Sequence, residues 1–154
     1  MSAVAFLDTG AIYALADRND ADHAVVRAIY LGSSEWHFVT HSLVVVESFS
    51  LLTKRLHKSA ALQTIDALRR SPKVEIVPLD AGLLEAAWTR CERFADKEWD
   101  WIDCTSFELM ERRRLHEALS LDHHFEQAGF SLPCCLIIGG HRKDRGNRVP
   151  LPHN

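Results

Sequence analysis

Apolar and polar positions along this chain follow two periods, one of a buried strand and one of an amphipathic helix. The unbroken apolar run Val4-Ala-Phe-Leu7 is bounded by Asp8-Thr-Gly10, the pattern of a buried strand entering a turn. The next segment is helical. Asp20 can cap a helix to about Leu31, because Ala24, Val25, Ala28, Ile29 and Leu31 recur at three-to-four spacing before Gly32. Residues 36–40 read as a second strand. Ser42 opens a long helix with Leu43, Val46, Phe49 and Leu52 on one face, and the 54–58 region breaks it or passes it to another helix ending near Arg70, ahead of Pro72. Residues 74–77 read as a third strand, Asp80 caps a helix to about Phe94, and a loop leads to Asp100 and a further helix to about Arg114. Strands at 118–121 and 134–138 complete the pattern. Strands alternating with amphipathic helices predict βα units around a mostly parallel sheet with helices on both faces.

At 154 residues with no break in composition, the chain has the size of one domain with one core. The domain is expected over 1–140. Residues 141–154 lack an apolar period and carry Arg142, Lys143, Arg145 and Arg148, which reads as a basic extended or mobile tail, solvated by default. No apolar run is long enough to span a bilayer and no signal-peptide pattern opens the chain, so the expected location is cytoplasmic, without a membrane partner. Cys91, Cys104, Cys134 and Cys135 form no CxxC pair, which argues for small buried thiols and against a metal knot or disulfide framework. A net charge of −3 means that nucleic-acid binding requires local basic patches or bound cations.

The acids carry the chemistry. Asp8 ends the first strand and Asp122 ends the run at 118–121, and ligands of an open parallel sheet bind beyond the carboxyl ends of its strands. Glu47 lies between Leu43 and Val44 one turn before and Leu51 one turn after, on a face where a glutamate is protonated, paired or metal-bound. Asp103 sits in the first turn of its helix, where the positive dipole end favours a carboxylate. Each has a bland reading: Asp8 as a turn or cap residue, Glu47 paired with a cation, and Asp103 as the third helical residue of a capping box whose N-cap is Asp100. As a set, four acids near strand ends with no basic residue beside them in sequence call for a cation. An oxygen-only donor set points to Mg²⁺ or Mn²⁺ and to phosphodiester hydrolysis. The adjacent His123 and His124 invite a metal reading too, but histidine suits zinc better, and neighbours on a helix cannot both face one ion.

The segments FLDTGAIYAL, VVVESFSLL, DKEWDWIDCTSFELM and EALSLDHHFEQAGF together resemble the PIN-domain ribonucleases, in particular the VapC-type toxins of prokaryotic toxin–antitoxin pairs, over roughly residues 4–138. The resemblance implies a three-layer α/β/α sandwich and a Mg²⁺- or Mn²⁺-dependent endoribonuclease. It assigns Asp8, Glu47, Asp103 and Asp122 as metal-binding catalytic acids, with Thr9 and Ser120 as auxiliary hydroxyls. Asp100 rivals Asp103 as the inner ligand, since the family often carries Ser or Thr where Asp100-Trp-Ile stands; the Cys-Thr-Ser-Phe after Asp103 favours Asp103. Asp96 reads as structural. The resemblance also implies an RNA substrate, a small antitoxin partner that lays a helix between the early helices, and a homodimer.

Lys54, Arg55 and Lys58, and Arg112, Arg113 and Arg114, could meet phosphate or simply be solvated helix faces. Trp99 and Trp101 could stack on unpaired bases or pack in the core. An inactive PIN-like RNA- or protein-binding module is the alternative to the enzyme, and it gives no reason to keep four mutually repelling carboxylates. A haloacid-dehalogenase-type phosphotransferase needs a second Asp two residues after the first, where Gly10 stands. A receiver-type domain wants paired acids after the first strand and a lysine after a late one.

Overall fold

The computed structural model of the protein describes residues 3–32 and 34–133. Its strands are β1 (Ala3–Leu7), β2 (Trp36–His41), β3 (Val74–Val77) and β4 (Glu117–Leu119). The helices are α1 (Thr9–Ala16), α2 (His23–Leu31), α3 (Ser42–Arg55), α4 (Lys58–Arg70), α5 (Ala81–Arg93), α6 (Trp101–Arg112) and α7 (His124–Gln127). The four strands form one parallel sheet in the order β3-β2-β1-β4.

That order fixes the layers. The connections β1 to β2 and β2 to β3 step the same way across the sheet, so right-handed crossovers place α1 to α4 on one face. The connection β3 to β4 steps back past both, and α5 and α6 cover the opposite face. Packing agrees: α1 lies against α2 and α3, α3 against α4, and α5 against α6. The α/β/α sandwich expected from the alternation is therefore present. Because the chain leaves β1 toward one side and returns at β4 on the other, the carboxyl ends of β1 and β4 flank the switch point where such sheets bind ligands.

Two aromatic stacks fill the layers. Phe6 on β1 stacks on Phe125 with ring centroids 5.8 Å apart, Phe125 meets Phe107 of α6 edge-on at 5.1 Å, and all three are fully buried. Phe38 of β2 stacks on Tyr30 of α2 at 5.1 Å.

Several local expectations change. Asp8-Thr-Gly10 is not a turn: Asp8 is the N-cap of α1, and Thr9 and Gly10 are its first residues. A Cβ on Gly10 would meet the Leu121 Cβ at 3.7 Å, ordinary contact, so the backbone does not demand glycine. Asp22, not Asp20, occupies the N-cap of α2; Asp20 shapes the preceding turn by accepting the Asp22 N–H at 2.8 Å. In α3 the buried positions are Val44, Ser48 and Leu52, and Val46 is 62% exposed. Ser48 on the inward ridge hid that face from a reading of apolar spacing. The long helix does break, at Leu56, and His57 caps α4 by accepting the Ala60 N–H at 3.1 Å. The last strand begins at Glu117 and stops at Leu119, where its neighbour β1 also ends at Leu7. The strand expected at 134–138, Cys134, Cys135 and the tail at 141–154 lie outside the described residues.

One buried histidine ties the two acid-bearing helices together. His41, the N-cap of α3, accepts the Val44 N–H on Nδ1 at 3.4 Å, and its Nε2–H donates to the Ser106 hydroxyl of α6 at 2.9 Å. Ser106 in turn donates to the Ile102 carbonyl at 3.0 Å. Burial lowers the His41 pKa from 6.5 to about 4, since charging it would place a proton on the nitrogen that caps the helix. A depressed histidine pKa contributes stability above pH 6.5 that is lost as pH falls toward 4. The stability advantage of the wild type over His41→Asn, which keeps a capping oxygen, is thus expected to shrink by up to about 3 kcal/mol between pH 7 and pH 4. Urea unfolding of both proteins across that range checks it, and a constant difference would contradict it.

Candidate active site

At the carboxyl ends of β1 and β4 the chain assembles a continuous set of polar contacts. Asp8 follows β1, its backbone N–H still bonded to the Leu119 carbonyl at 3.2 Å, so its position is set by the sheet. Ser120, fully buried, donates to Asp8 Oδ2 at 2.9 Å and accepts the Asp122 N–H at 3.0 Å. A single hydroxyl thereby locks the first acid to the last. Thr9 donates to Glu47 Oε2 at 2.5 Å, which holds the α3 acid against the start of α1.

Asp103 and Asp100 form a capping box at the start of α6. Asp100 Oδ1 accepts the Asp103 N–H at 2.8 Å, and Asp103 Oδ2 accepts the Asp100 N–H at 3.1 Å. The bland reading of this pair is correct as local structure, and it does not exhaust Asp103. The same Oδ2 accepts a hydrogen bond at 3.0 Å from His124 Nδ1, which also lies 3.4 Å from Asp122 Oδ2. With Asp103 ionised its carboxylate can only accept, and Nδ1 then carries the proton. Asp103 is well enclosed, at 15% side-chain exposure, whereas Asp100 is exposed.

Electrostatics place the acids within reach of one another. Burial pushes the Asp8 carboxyl up to about 7, against hydrogen bonds from Ser120 and the Thr9 backbone, and repulsion from Asp103 and Asp122 adds to it. Burial and then the Asp100 charge raise Asp103 to about 6. Glu47 is raised too, by burial first, with Asp100 and Asp122 as its repelling neighbours. Among the described residues no lysine or arginine pairs with any of the four; the close side-chain nitrogens at Asp103 and Asp122 belong to histidines.

The donor chemistry fits a hard divalent cation: carboxylates of high local charge density, two hydroxyls and, among the described residues, no lysine or arginine paired with them. Asp122, His123 and His124 have ligand atoms all within 4.8 Å of one another, and they are the one such trio among the described residues. The four acids therefore converge without being drawn as close as that trio.

The PIN domain family matches residues 5–131. A 23S rRNA-specific endonuclease of Mycobacterium tuberculosis, VapC20, is 31% identical over 125 residues, covering 81% of this chain and 94% of the relative. The chain is a PIN-domain protein of the VapC type. The crystal structure of VapC20, described as a sarcin–ricin loop cleaving toxin, superposes with a TM-score of 0.77 at 29% identity, covering 84% of this chain and 97% of that one. VapBC2 of Rickettsia felis, solved with a fragment of its promoter DNA, shares the fold at 13% identity and a TM-score of 0.61.

The PIN domain's contribution from His124 was not apparent in the sequence. Adjacent histidines on a helix argued against both facing one centre. The structure departs from that argument: His123 precedes α7 as its N-cap, and although it is exposed while His124 is half-buried, both bring a ring nitrogen within 4.8 Å of the Asp122 carboxylate and of each other, with Phe125 buried in the core behind them. The phase of Phe125 was the available signal. Of the basic runs, Arg113 is engaged by Glu75 at 2.8 and 3.3 Å, Arg112 donates to the Gly82 carbonyl at 3.2 Å, and Arg55 lies over the Tyr13 ring. Trp99 packs edge-on against Phe107, while Trp101 is 41% exposed.

A carboxyl raised in the folded state costs stability at pH above its folded pKa, and that cost vanishes as pH falls toward the unfolded value. In EDTA, Asp8→Asn is expected to be more stable than wild type at pH 8, by up to about 4 kcal/mol, with the advantage fading toward pH 4. Thermal or urea unfolding at the two ends of that range reads it directly. A difference that does not change with pH would contradict a buried, titrating carboxyl at Asp8.

Proposed function

We propose that this protein is a metal-dependent endoribonuclease, the toxin of a toxin–antitoxin pair, with Asp8, Glu47, Asp103 and Asp122 holding Mg²⁺ or Mn²⁺. The observation that carries the reading is the convergence of these acids at the β1/β4 switch point, with Asp8 raised to about 7 and, among the described residues, no lysine or arginine paired with it. The rRNA endonuclease activity of the VapC20 relative supports RNA as the substrate.

When bound, the divalent ion supplies a water of lowered pKa and neutralises phosphate charge. The residues of the chain do the positioning: Ser120 fixes Asp8, Thr9 fixes Glu47, and His124 fixes Asp103. Cleavage forms a bond from a water oxygen to phosphorus and breaks the bond to the 3′ oxygen, so the downstream fragment keeps a 5′ phosphate. No side chain acts as nucleophile. The work lies in orientation and charge compensation.

The antitoxin has a fitting groove. Ile12, Leu15, Tyr30, Leu31 and Leu68 line an apolar cavity of about 430 Å³ between α1, α2 and α4, the form that accepts the apolar face of a helix. A homodimer is part of the same proposal, and the exposed, mutually packed Trp88 and Trp101, with centroids 5.0 Å apart, offer it an apolar surface.

The test is cleavage of a sarcin–ricin stem–loop and of unrelated RNAs with Mg²⁺ or Mn²⁺. Cleavage is expected to stop in EDTA and to fall at least about 100-fold in Asp8→Asn and Asp103→Asn, with Thr9→Val losing about tenfold. Metal-induced thermal shifts should vanish in Asp103→Ala and persist in Asp100→Ala. Full activity in both asparagine variants contradicts the site; binding of RNA by folded wild type without cleavage under either metal favours the inactive module.

A further inference from the structure

A second cavity, of about 360 Å³, opens among α5, the loop at 94–99, α6 and α7. Its walls hold two aromatic residues, Phe94 and Trp99, with ring centroids 5.1 Å apart. The Arg93 guanidinium lies 5.2 Å over the Phe94 ring. The Trp99 indole N–H donates to Gln127 Oε1 at 3.1 Å, so Gln127 turns its carbonyl to the tryptophan and keeps its NH₂ group as a donor.

The charge of the cavity restricts what it can take. Arg90 in its wall is spent on Glu108 at 2.7 Å and Glu111 at 2.5 Å. Together with Arg93 the wall carries two positive and two negative side chains. A phosphate would meet Glu111 as well as Arg93; a neutral heteroaromatic ring meets aromatic faces, a guanidinium and an amide donor without repulsion. The volume is at the low end of small-ligand pockets, enough for one base.

The position of the cavity links it to the acids. Trp99 immediately precedes Asp100, and Gln127 is one helical turn from His124, whose ring bonds Asp103; one turn is about 5 Å along the axis. None of the four acids lines the cavity; with a phosphate at the acids, a base one or two nucleotides along the strand is the one placed to enter it. Unpaired RNA bases are recognised by stacking on aromatic side chains and guanidinium planes, and arginine and amide donors suit the O6 and N7 acceptors of a purine edge.

We propose that this cavity is a subsite for one purine base of the substrate RNA, next to the bond that is cut, with Arg93 and Gln127 reading its acceptor edge and Phe94 and Trp99 forming its wall. The inference rests on the ribonuclease reading and adds a determinant of base preference to it. Phosphate contacts would position the RNA; this pocket would select it.

The experiment uses the full chain and a pool of stem–loop RNAs with randomised loops, with the cut ends sequenced. Wild type is expected to prefer purine over pyrimidine by about tenfold at one position within two nucleotides of the cut. Gln127→Glu keeps the acceptor for Trp99 and removes the NH₂ donor, and Arg93→Ala removes the guanidinium. Both residues are exposed, so both variants should fold. Each is expected to lower that preference to under about threefold while the preferences at other positions stay as in wild type. A preference unchanged in both variants, or cutting by wild type without any such preference, overturns the subsite and leaves the nuclease standing. Failure of wild type to cut the pool and the sarcin–ricin loop overturns both. Variants that change the sedimenting mass and leave base preference intact assign the cavity to a second copy and overturn the subsite.

Discussion

Burial of carboxylates together at one edge of a parallel sheet, with their mutual repulsion added to it, is the constraint on which the rest of this structure turns. Burial and like charge hold Asp8 near 7 and Asp103 near 6, so the folded chain carries, at neutral pH, an electrostatic cost that no lysine or arginine among the described residues relieves. A core made only for stability would not retain such an arrangement. The cost is intelligible if the acids exist to meet a cation and a phosphate, and the fold supplies a place for them by reversing its winding between β1 and β4.

Rigid supports keep the acids from relaxing apart. Each is held by a neighbour: Asp8 by buried Ser120, Glu47 by Thr9 at the first turn of α1, Asp103 by both its capping box and His124, and Asp122 by the His124 backbone N–H. His41 and Ser106 extend the same logic below the site, joining the start of α3 to α6 through a buried hydrogen-bonded chain. Preorganisation of this kind is what lets metal and substrate charge be compensated without rearrangement during reaction. The pocket at Phe94 and Trp99 connects to these supports through the chain: Trp99 precedes Asp100, and Gln127 is one turn of α7 from His124.

β1 was legible because it is an unbroken apolar run, the mark of a strand covered on both faces, whereas β2 and β3 carry polar residues among apolar ones and were read from their short β-rich stretches between helices. Helix ends with a side-chain signal, such as Asp80 and Asp100, were legible too. What failed to show was whatever depended on phase or on distant contacts. Glycine at position 10 looked like a turn, although the first turn of α1 tolerates it. Val46 looked buried, because Ser48 occupies the inward ridge of α3. The four acids could be named from their places beside strand ends and from family resemblance. The hydroxyl and imidazole contacts that orient them span up to 112 positions of sequence, and no local pattern encodes such pairings.

The most direct measurement of the central claim is the proton count of metal binding. Asp8 and Asp103, raised as they are, hold about one proton between them at pH 6.5, and binding a divalent ion must expel it. Calorimetric titration of the EDTA-treated protein with Mn²⁺ at pH 6.5, in buffers of different ionisation enthalpy, reads that number. The account predicts release of about one proton in wild type and markedly less in Asp8→Asn. Binding without proton release, or release unchanged in Asp8→Asn, would contradict it.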